Sequence, residues 1–436
     1  MSSNSSKVPA HRLSRLGSLA SLAGRVAGGM LAEGARQLAK GQVPAKKDLL
    51  LTPANAKRVA DQLAHLRGAA MKVGQLLSMD AGDMLPPALA DVLARLRSSA
   101  NPMPVKQLAQ VLKNEWGENW QRHFTDFTFM PLAAASIGQV HQAYHDNGQR
   151  LAVKIQYPGI KESIDSDVDN VATLLRLSGL VPKGVDYQQL LVEAKLQLKS
   201  EADYLQEAAY LTEYRLHLSN NPHFLLPEPI TALTTSNILV MSYVEGIAIE
   251  ALTERSQVER DRVMSLLFEL LFRELFEFSL VQTDPNFANY QYNTTTQQLV
   301  LLDFGACRHY SANFSAGYRN LFKAALQQDD AGMRDALMQI GFFSQTILPE
   351  QQQAVLKLVH LACEPLQHDK AFDFGQSDLA LRLRDAGTAL SMQQNYWHTP
   401  PADAIFLHRK IGGLYLLAAR LKAKINVRSL LMPYLE

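Results

Sequence analysis

Apolar positions recur with two different periods along this chain, and the change of period divides it. From Leu13 to Leu31 the apolar residues Leu13, Leu16, Leu19, Ala20, Ala23, Ala27, Met30 and Leu31 fall at helical spacing, with Gly24 and Gly28 forming a small-residue patch. Asn101-Pro102-Met103-Pro104 then punctuates the chain. Beyond it, Ile137 to Tyr144 and Leu151 to Ile155 read as two strands around Asp146-Asn147-Gly148, where Asn-Gly is expected to supply positive backbone angles for a tight hairpin. Tyr187 to Leu216 is rich in Leu, Ala, Glu, Lys and Gln and predicts a long helical stretch. Asn237 to Tyr243 predicts a strand. Phe268 to Phe272 with Leu275 and Phe276 forms an apolar helical face, and Gln298 to Leu302 reads as a buried strand.

The chemistry clusters after that face. In Thr283-Asp284-Pro285-Asn286-Phe287-Ala288-Asn289 an aspartate and an asparagine stand five residues apart, and Asp303, in Leu301-Leu302-Asp303-Phe304-Gly305, follows the asparagine by fourteen. D-x-x-x-x-N, a strand and D-F-G in that order is the layout of a kinase active site. Phosphoryl transfer needs three oxygen-bearing groups around one Mg-nucleotide: Asp284 to orient or deprotonate the acceptor, Asn289 and Asp303 to bind magnesium through hard oxygen atoms. A cation on a rigid element is then required upstream, and Lys154 in Leu151-Ala152-Val153-Lys154-Ile155 answers to it. Glu201, Asp203 and Glu207 are the helical acids available to pair with it. On one continuous helix Asp203 and Glu207 share a face, whereas Glu201 is rotated by about 120° from Glu207, so one helix could serve two partners.

These stretches, together with Lys72-Val73-Gly74-Gln75, Ala133 to His141, Val153 to Gly159 and Glu201-Ala202-Asp203-Tyr204, resemble the UbiB (AarF) family of atypical kinases, most closely its coenzyme Q branch. The resemblance covers nearly the whole chain. It implies an α+β, two-lobed protein-kinase-like fold: a helical N-terminal extension carrying K-x-G-Q over 1–104, a small lobe with an antiparallel sheet over 105–244, and a mainly helical large lobe over 245–436. It also implies that Lys154 contacts phosphates and pairs with Glu207, while Lys72 pairs with Glu201. Gln75 and Asp203 complete the K-x-G-Q and E-x-D motifs, and Ala133, Ala134, Ala135 and Ser136 replace the glycine-rich phosphate loop. Met241, Ser242, Tyr243 and Val244 are expected to form the adenine hinge. The cofactors implied are ATP or ADP with Mg2+.

Three departures from ordinary protein kinases bear on activity. Alanines in the phosphate loop add a Cβ at each position and restrict positive backbone angles. Asn286 stands where protein kinases usually carry a lysine, and no A-P-E motif follows Asp303. Water, or a small or lipid-derived acceptor, is therefore favoured over protein, giving an ATPase or small-molecule kinase, and the resemblance alone implies that it supports ubiquinone biosynthesis. Aminoglycoside- or choline-type phosphotransferases share D-x-x-x-x-N and a D-F-G-like motif, but their His-Gly-Asp entry is replaced here by Gln282-Thr283-Asp284, and they lack K-x-G-Q. A catalytically weak, nucleotide-gated scaffold for lipid intermediates or biosynthetic enzymes is the third reading.

Composition adds location and partners. With 436 residues, 47% hydrophobic, 19% charged and a net charge of +1, the chain suits two or three ordinary globular domains. No zinc-finger, RNP or basic-region pattern is present, so nucleic acid is not expected as a partner. Two cysteines, Cys307 and Cys363, form no disulfide framework and suit a reducing compartment. Residues 1–50 hold eight Lys or Arg against two acids. This end reads as a basic amphipathic helix for an anionic membrane surface or for the protein's own core, and also suits an organellar transit peptide. The expected location is cytoplasmic and peripheral at the inner membrane, or the mitochondrial matrix face. Phe406-Leu407-His408-Arg409-Lys410 is left as a solvated basic patch or a packing element.

Overall fold

The computed structural model describes residues 68, 69, 72, 73, 102–178, 187–284, 286–343, 347–393 and 401–436. The basic segment before residue 50, Gly74 and Gln75 lie outside them. The chain divides into two compact units, Met1–Ala209 with Glu228–Tyr243, and Tyr210–Pro227 with Val244–Glu436.

In the first unit α1 (Val105–Trp116) leads to an antiparallel sheet of β1 (Asp126–Phe127), β2 (Ala133–Ala134), β3 (Gly138–Tyr144), β4 (Arg150–Gln156) and β6 (Ile238–Ser242). Strand β5 (Phe224–Leu225) belongs to the second unit. The order is β1-β3-β4-β6, with β2 on β3. β4 is the central strand and is buried from Leu151 to Gln156, which is why its Leu-Ala-Val-Lys-Ile run is almost continuously apolar. Here the structure corrects one expectation. Only Gly148, at φ 81°, is left-handed in the β3–β4 turn, and Asn147 is not. His145 and Gln149 close a three-residue loop, with Gly148 N–H donating to His145 O (2.9 Å) and His145 N–H to Gln149 O (2.9 Å). One glycine in the αL position is enough for that loop. At the other end of the hairpin a Cβ on Gly138 would lie 2.2 Å from Ile155 O. Gly138→Ala is therefore expected to force β3 from β4 and cost about 1–3 kcal/mol or more, read as a lowered thermal midpoint.

Helices α2 (Ile160–Ser178) and α3 (Tyr187–Glu201) pack together, and α4 (Tyr204–His217) follows. The long helix expected from Tyr187 to Leu216 is thus two helices. The break falls in Glu201–Asp203, where Asp203 caps the new helix: its Oδ1 accepts from Gln206 N–H (3.1 Å) and its carbonyl from Glu207 N–H (2.9 Å).

The second unit is mainly helical. Its central helix α5 (Gln257–Arg273) starts in a capping box of Ser256 and Glu259 and buries residues around most of its circumference from Val263 to Phe272. A π-helical turn, Glu274–Phe278, and left-handed Ser279 (φ 52°) pass the chain to β8 (Leu280–Gln282). A four-stranded sheet is ordered β5-β10-β9-β7, with β7 (Ile247–Ala248), β9 (Tyr290–Asn293) and β10 (Gln298–Leu301). β8 pairs separately with β11 (Cys307–His309). From there the chain enters α6 (Ala312–Gln327), capped by Ser311, and continues through α7 (Asp330–Ile340), α8 (Pro349–Ala362) and α9 (Leu379–Gln393) to α10 (Ala402–Arg420) and α11 (Val427–Leu431). The passage from Asp303 to α6 is short and ordered by β11, leaving no room for a long activation segment.

Candidate nucleotide and metal site

Lys154 lies in mid-strand on β4, opposite Val140 of β3 and Leu239 of β6, so its backbone is held from both sides. Its Nζ donates to both carboxylate oxygens of Glu207 in the first turn of α4, at 2.8 and 2.9 Å, with both side chains buried. The ammonium also lies 5.1 Å from the centre of the Tyr204 ring. Glu201, at the end of α3, pairs instead with buried Lys72 (2.5 Å) and accepts from Ser136 Oγ (2.5 Å). The break at Asp203 gives the two glutamates to two different lysines. Helical rotation alone left that choice open, and it rested on an unbroken helix that does not exist.

The alanine loop is not an open cradle. Ala133 and Ala134 are β2, paired with Val140 and Gln139, and Ala135 N–H donates to Gly138 O (2.9 Å). Ser136 is fastened to Glu201, and its carbonyl would be 2.8 Å from a Cβ placed on Gly68. At the expected hinge, Met241 and Ser242 belong to β6, and Tyr243 N–H donates to Arg150 O (2.9 Å) while its ring carries the Arg150 guanidinium at 3.6 Å. Of the four expected hinge residues, Tyr243 therefore has its main-chain donor engaged inside the sheet.

Sequence reading did not single out the buried polar pair of Gln139 and His141. Gln139 Oε1 accepts from Met103 N–H (2.9 Å), its Nε2 meets His141 Nε2 (2.7 Å), and His141 Nδ1 meets Thr128 O (2.9 Å). This pattern requires a neutral imidazole with its proton on Nδ1. Burial pushes the His141 pKa below its ordinary 6.5. The unfolded chain then binds more protons than the folded one just below that value. The stability held by the neutral ring is fully present above pH 6.5 and lost as pH falls through it, with a slope of at most about 1.4 kcal/mol per pH unit. Thermal midpoints between pH 7.5 and 5.5 should show this fall in the wild-type protein and a shallower one in His141→Gln.

In the second unit Asp284, Asn289 and Asp303 are held by main-chain bonds at both ends of their loops. Cys307 pairs with Gln282 across β11 and β8, and Thr283 adds two bonds to Ala306 O, from N–H (3.0 Å) and Oγ1 (2.6 Å). Asn289 O accepts from Leu302 N–H (3.1 Å), just before Asp303. Asn286 caps the short turn Phe287–Asn289 through Ala288 N–H (3.2 Å), which gives a structural use to the residue standing in the lysine position. Asn289 Nδ2 reaches Asp284 O and Oδ2 at 3.4 Å each, and Asp303 Oδ1 accepts from Gly305 N–H (3.0 Å). Among the described residues no group of three or more His, Cys, Asp or Glu gathers to hold a metal. The Asp303 carboxylate and the Asn289 amide oxygen are still donors that fit Mg2+, which prefers hard oxygen and completes its shell with phosphate and water.

A second buried ionic group occurs nearby in the same unit. Lys410 is 2% exposed and hydrogen-bonds Glu274, which is fully buried; Tyr214 Oη donates to Glu274 Oε1 (2.8 Å). Burial holds the Glu274 pKa above the usual carboxylate range, opposed by the Lys410 charge. The His408–Lys410 stretch is thus no solvated basic patch at Lys410, which packs inside. The signal was present in the sequence: Glu274 falls on the apolar stripe of Leu270, Leu271, Leu275 and Phe278, and Lys410 on that of Phe406, Leu407 and Leu414.

The family model described as the ABC1 atypical kinase-like domain matches residues 95–337. The chain is 39% identical over 428 residues to a protein of Saccharomyces cerevisiae named "Atypical kinase COQ8, mitochondrial", covering 98% of this chain and 85% of that one. It is 37% identical over 426 residues to "Atypical kinase COQ8B, mitochondrial" of Rattus norvegicus, covering 97% and 80%. Among solved structures, Rv3197 of Mycobacterium tuberculosis, determined with erythromycin, superposes with a TM-score of 0.58 at 24% identity over 86% of this chain and 95% of that one, a likeness of fold alone. Among the described residues no helix is long and apolar enough to cross a membrane.

Proposed function

The chain belongs to the ABC1 atypical kinase-like family, the UbiB or AarF group, and from that premise we propose that it is a Mg-nucleotide-dependent ATPase or small-molecule or lipid kinase supporting ubiquinone biosynthesis. The observation that carries this reading is the two-pronged bond from Lys154 to Glu207. It fixes a buried cation on a central strand, the device that phosphoryl transfer needs to hold phosphates. In this reading Lys154 binds the phosphates of ATP or ADP and Asn289 and Asp303 supply oxygen ligands to Mg2+. Asp284 orients the acceptor, the Ala133–Ser136 segment covers phosphate, and Met241 and Val244 flank the base. Lys72, Gln75, Glu201 and Asp203 regulate access. The basic segment before residue 50 brings the protein to an anionic membrane surface, at the inner membrane of a bacterium or its mitochondrial counterpart. Quinone-biosynthesis enzymes or lipid intermediates are the partners.

One observation favours a second reading, a weakly catalytic, nucleotide-gated lipid scaffold: the alanine loop spends Ala135 N–H on Gly138 and Ser136 on Glu201. Mg-dependent ATP hydrolysis by the purified protein, with and without anionic liposomes, separates the two. Turnover that rises with liposomes and vanishes in Asp303→Asn supports the enzyme. Nucleotide binding without turnover in either condition supports the scaffold.

A further inference from the structure

The Glu274–Lys410 pair is more costly than packing requires. Two charges at almost complete burial lose most of their hydration, and well-packed apolar residues of similar volume are commonly as stable or more so. What the pair holds is therefore informative. The Glu274 carboxylate accepts from Lys410 on α10 and Tyr214 on α4. Tyr214 Oη also lies 3.2 Å from Leu280 O. The start of β8 is thus tied to this cluster through Tyr214, and its last residue, Gln282, stands two residues before Asp284.

The far end of the segment returns to the same place. Tyr290, immediately after Asn289, donates from Oη to Gln282 Oε1 (3.3 Å). Phe287, midway between Asp284 and Asn289, lines an apolar notch with Tyr290 and with Lys410, Gly413, Leu414 and Leu417 of α10. Glu274 itself opens a π-helical turn, a wider turn than the helix before it and a feature frequent at functional sites. We propose that Glu274 is a positioning residue: its buried carboxylate, fastened to Lys410, fixes the strand leading into Asp284 and so sets the placement of the Asp284–Asn289 segment. The inference rests on the phosphoryl-transfer reading of Asp284 and Asn289.

Two double variants test it. Glu274→Gln/Lys410→Met removes both charges but keeps an acceptor for Tyr214. Glu274→Leu/Lys410→Met has similar volume and no acceptor. In full-length protein the Leu/Met variant is expected to lose about tenfold or more in kcat for ATP with KM within about threefold, because small misplacements of reacting groups are costly. The Gln/Met variant is expected to recover kcat to within about threefold of wild type. The Mg2+-linked gain in ADP affinity, which needs no turnover, should fall in the Leu/Met variant and return in the Gln/Met one. Wild-type kcat and Mg2+ linkage in a folded Leu/Met protein overturn the proposal. Should that protein not fold, Tyr214→Phe decides: a fall in kcat at unchanged KM is expected, and a lowered thermal midpoint with unchanged kcat overturns it. A wild-type protein with neither Mg2+-linked binding nor turnover, matched by Asp303→Asn, overturns the reading of the site and this inference with it. Loss in Asp303→Asn alone leaves that reading standing while the double variants judge the strut.

Discussion

Asp303→Asn is expected to reduce Mg-dependent ATP turnover by about 100-fold or more while leaving the thermal midpoint within a few degrees of wild type. A bound metal contributes several kcal/mol of charge stabilisation to phosphoryl transfer, and each 1.36 kcal/mol is tenfold in rate. The substitution keeps the shape of the side chain and an oxygen able to accept from Gly305 N–H, the bond that shapes this turn. What it removes is the negative charge of the proposed metal ligand. Steady-state hydrolysis across Mg2+ concentrations, beside calorimetry, checks both halves. Turnover equal to wild type would remove Asp303 from the metal site and with it the assignment of the neighbouring Asn289.

Glu274→Ala should produce the largest loss of stability of any single change considered, about 3–5 kcal/mol, because it strands the Lys410 ammonium at 2% exposure. Tyr214 also loses the nearer of its two acceptors. For a unit of this size the thermal midpoint should fall by roughly 10 °C. Adding Lys410→Met is expected to return most of the loss, since the penalty comes from an uncompensated charge more than from missing packing. A double variant no more stable than Glu274→Ala would show that packing around the carboxylate, and not charge, carries the effect. Differential scanning calorimetry of the three proteins distinguishes these outcomes.

Several features were legible without coordinates for reasons that are local. The alternation and apolar run of Gly138 to Gln156 specify a hairpin, since side chains on a strand alternate and β4 is buried on both faces. Gln298 to Leu301 is the strand that precedes Asp303, as its apolar run indicates. Other expectations failed where local preference competes with a specific hydrogen bond. Leu, Ala, Glu and Gln favour helix on both sides of Asp203, yet the aspartate's own carboxylate offers Gln206 N–H a cap, and the helix restarts there. Asn147 can adopt a left-handed conformation, but a loop closed between His145 and Gln149 needs only one such residue, and Gly148 takes it.

By itself the sequence determined the kinase-like family and the α+β character, because motif order and hydrophobic period are properties of neighbouring residues. It also placed Lys154, Asp284, Asn289 and Asp303 among the chemically competent groups. Tertiary structure alone decided that Ala135 N–H is spent on Gly138 and Ser136 Oγ on Glu201, and that Glu274 and Lys410, 136 residues apart, share one buried pair. Those facts depend on the separation between elements distant in the chain. Burial raises the cost of an unmatched charge, so the partner is chosen by what the fold brings within hydrogen-bond reach.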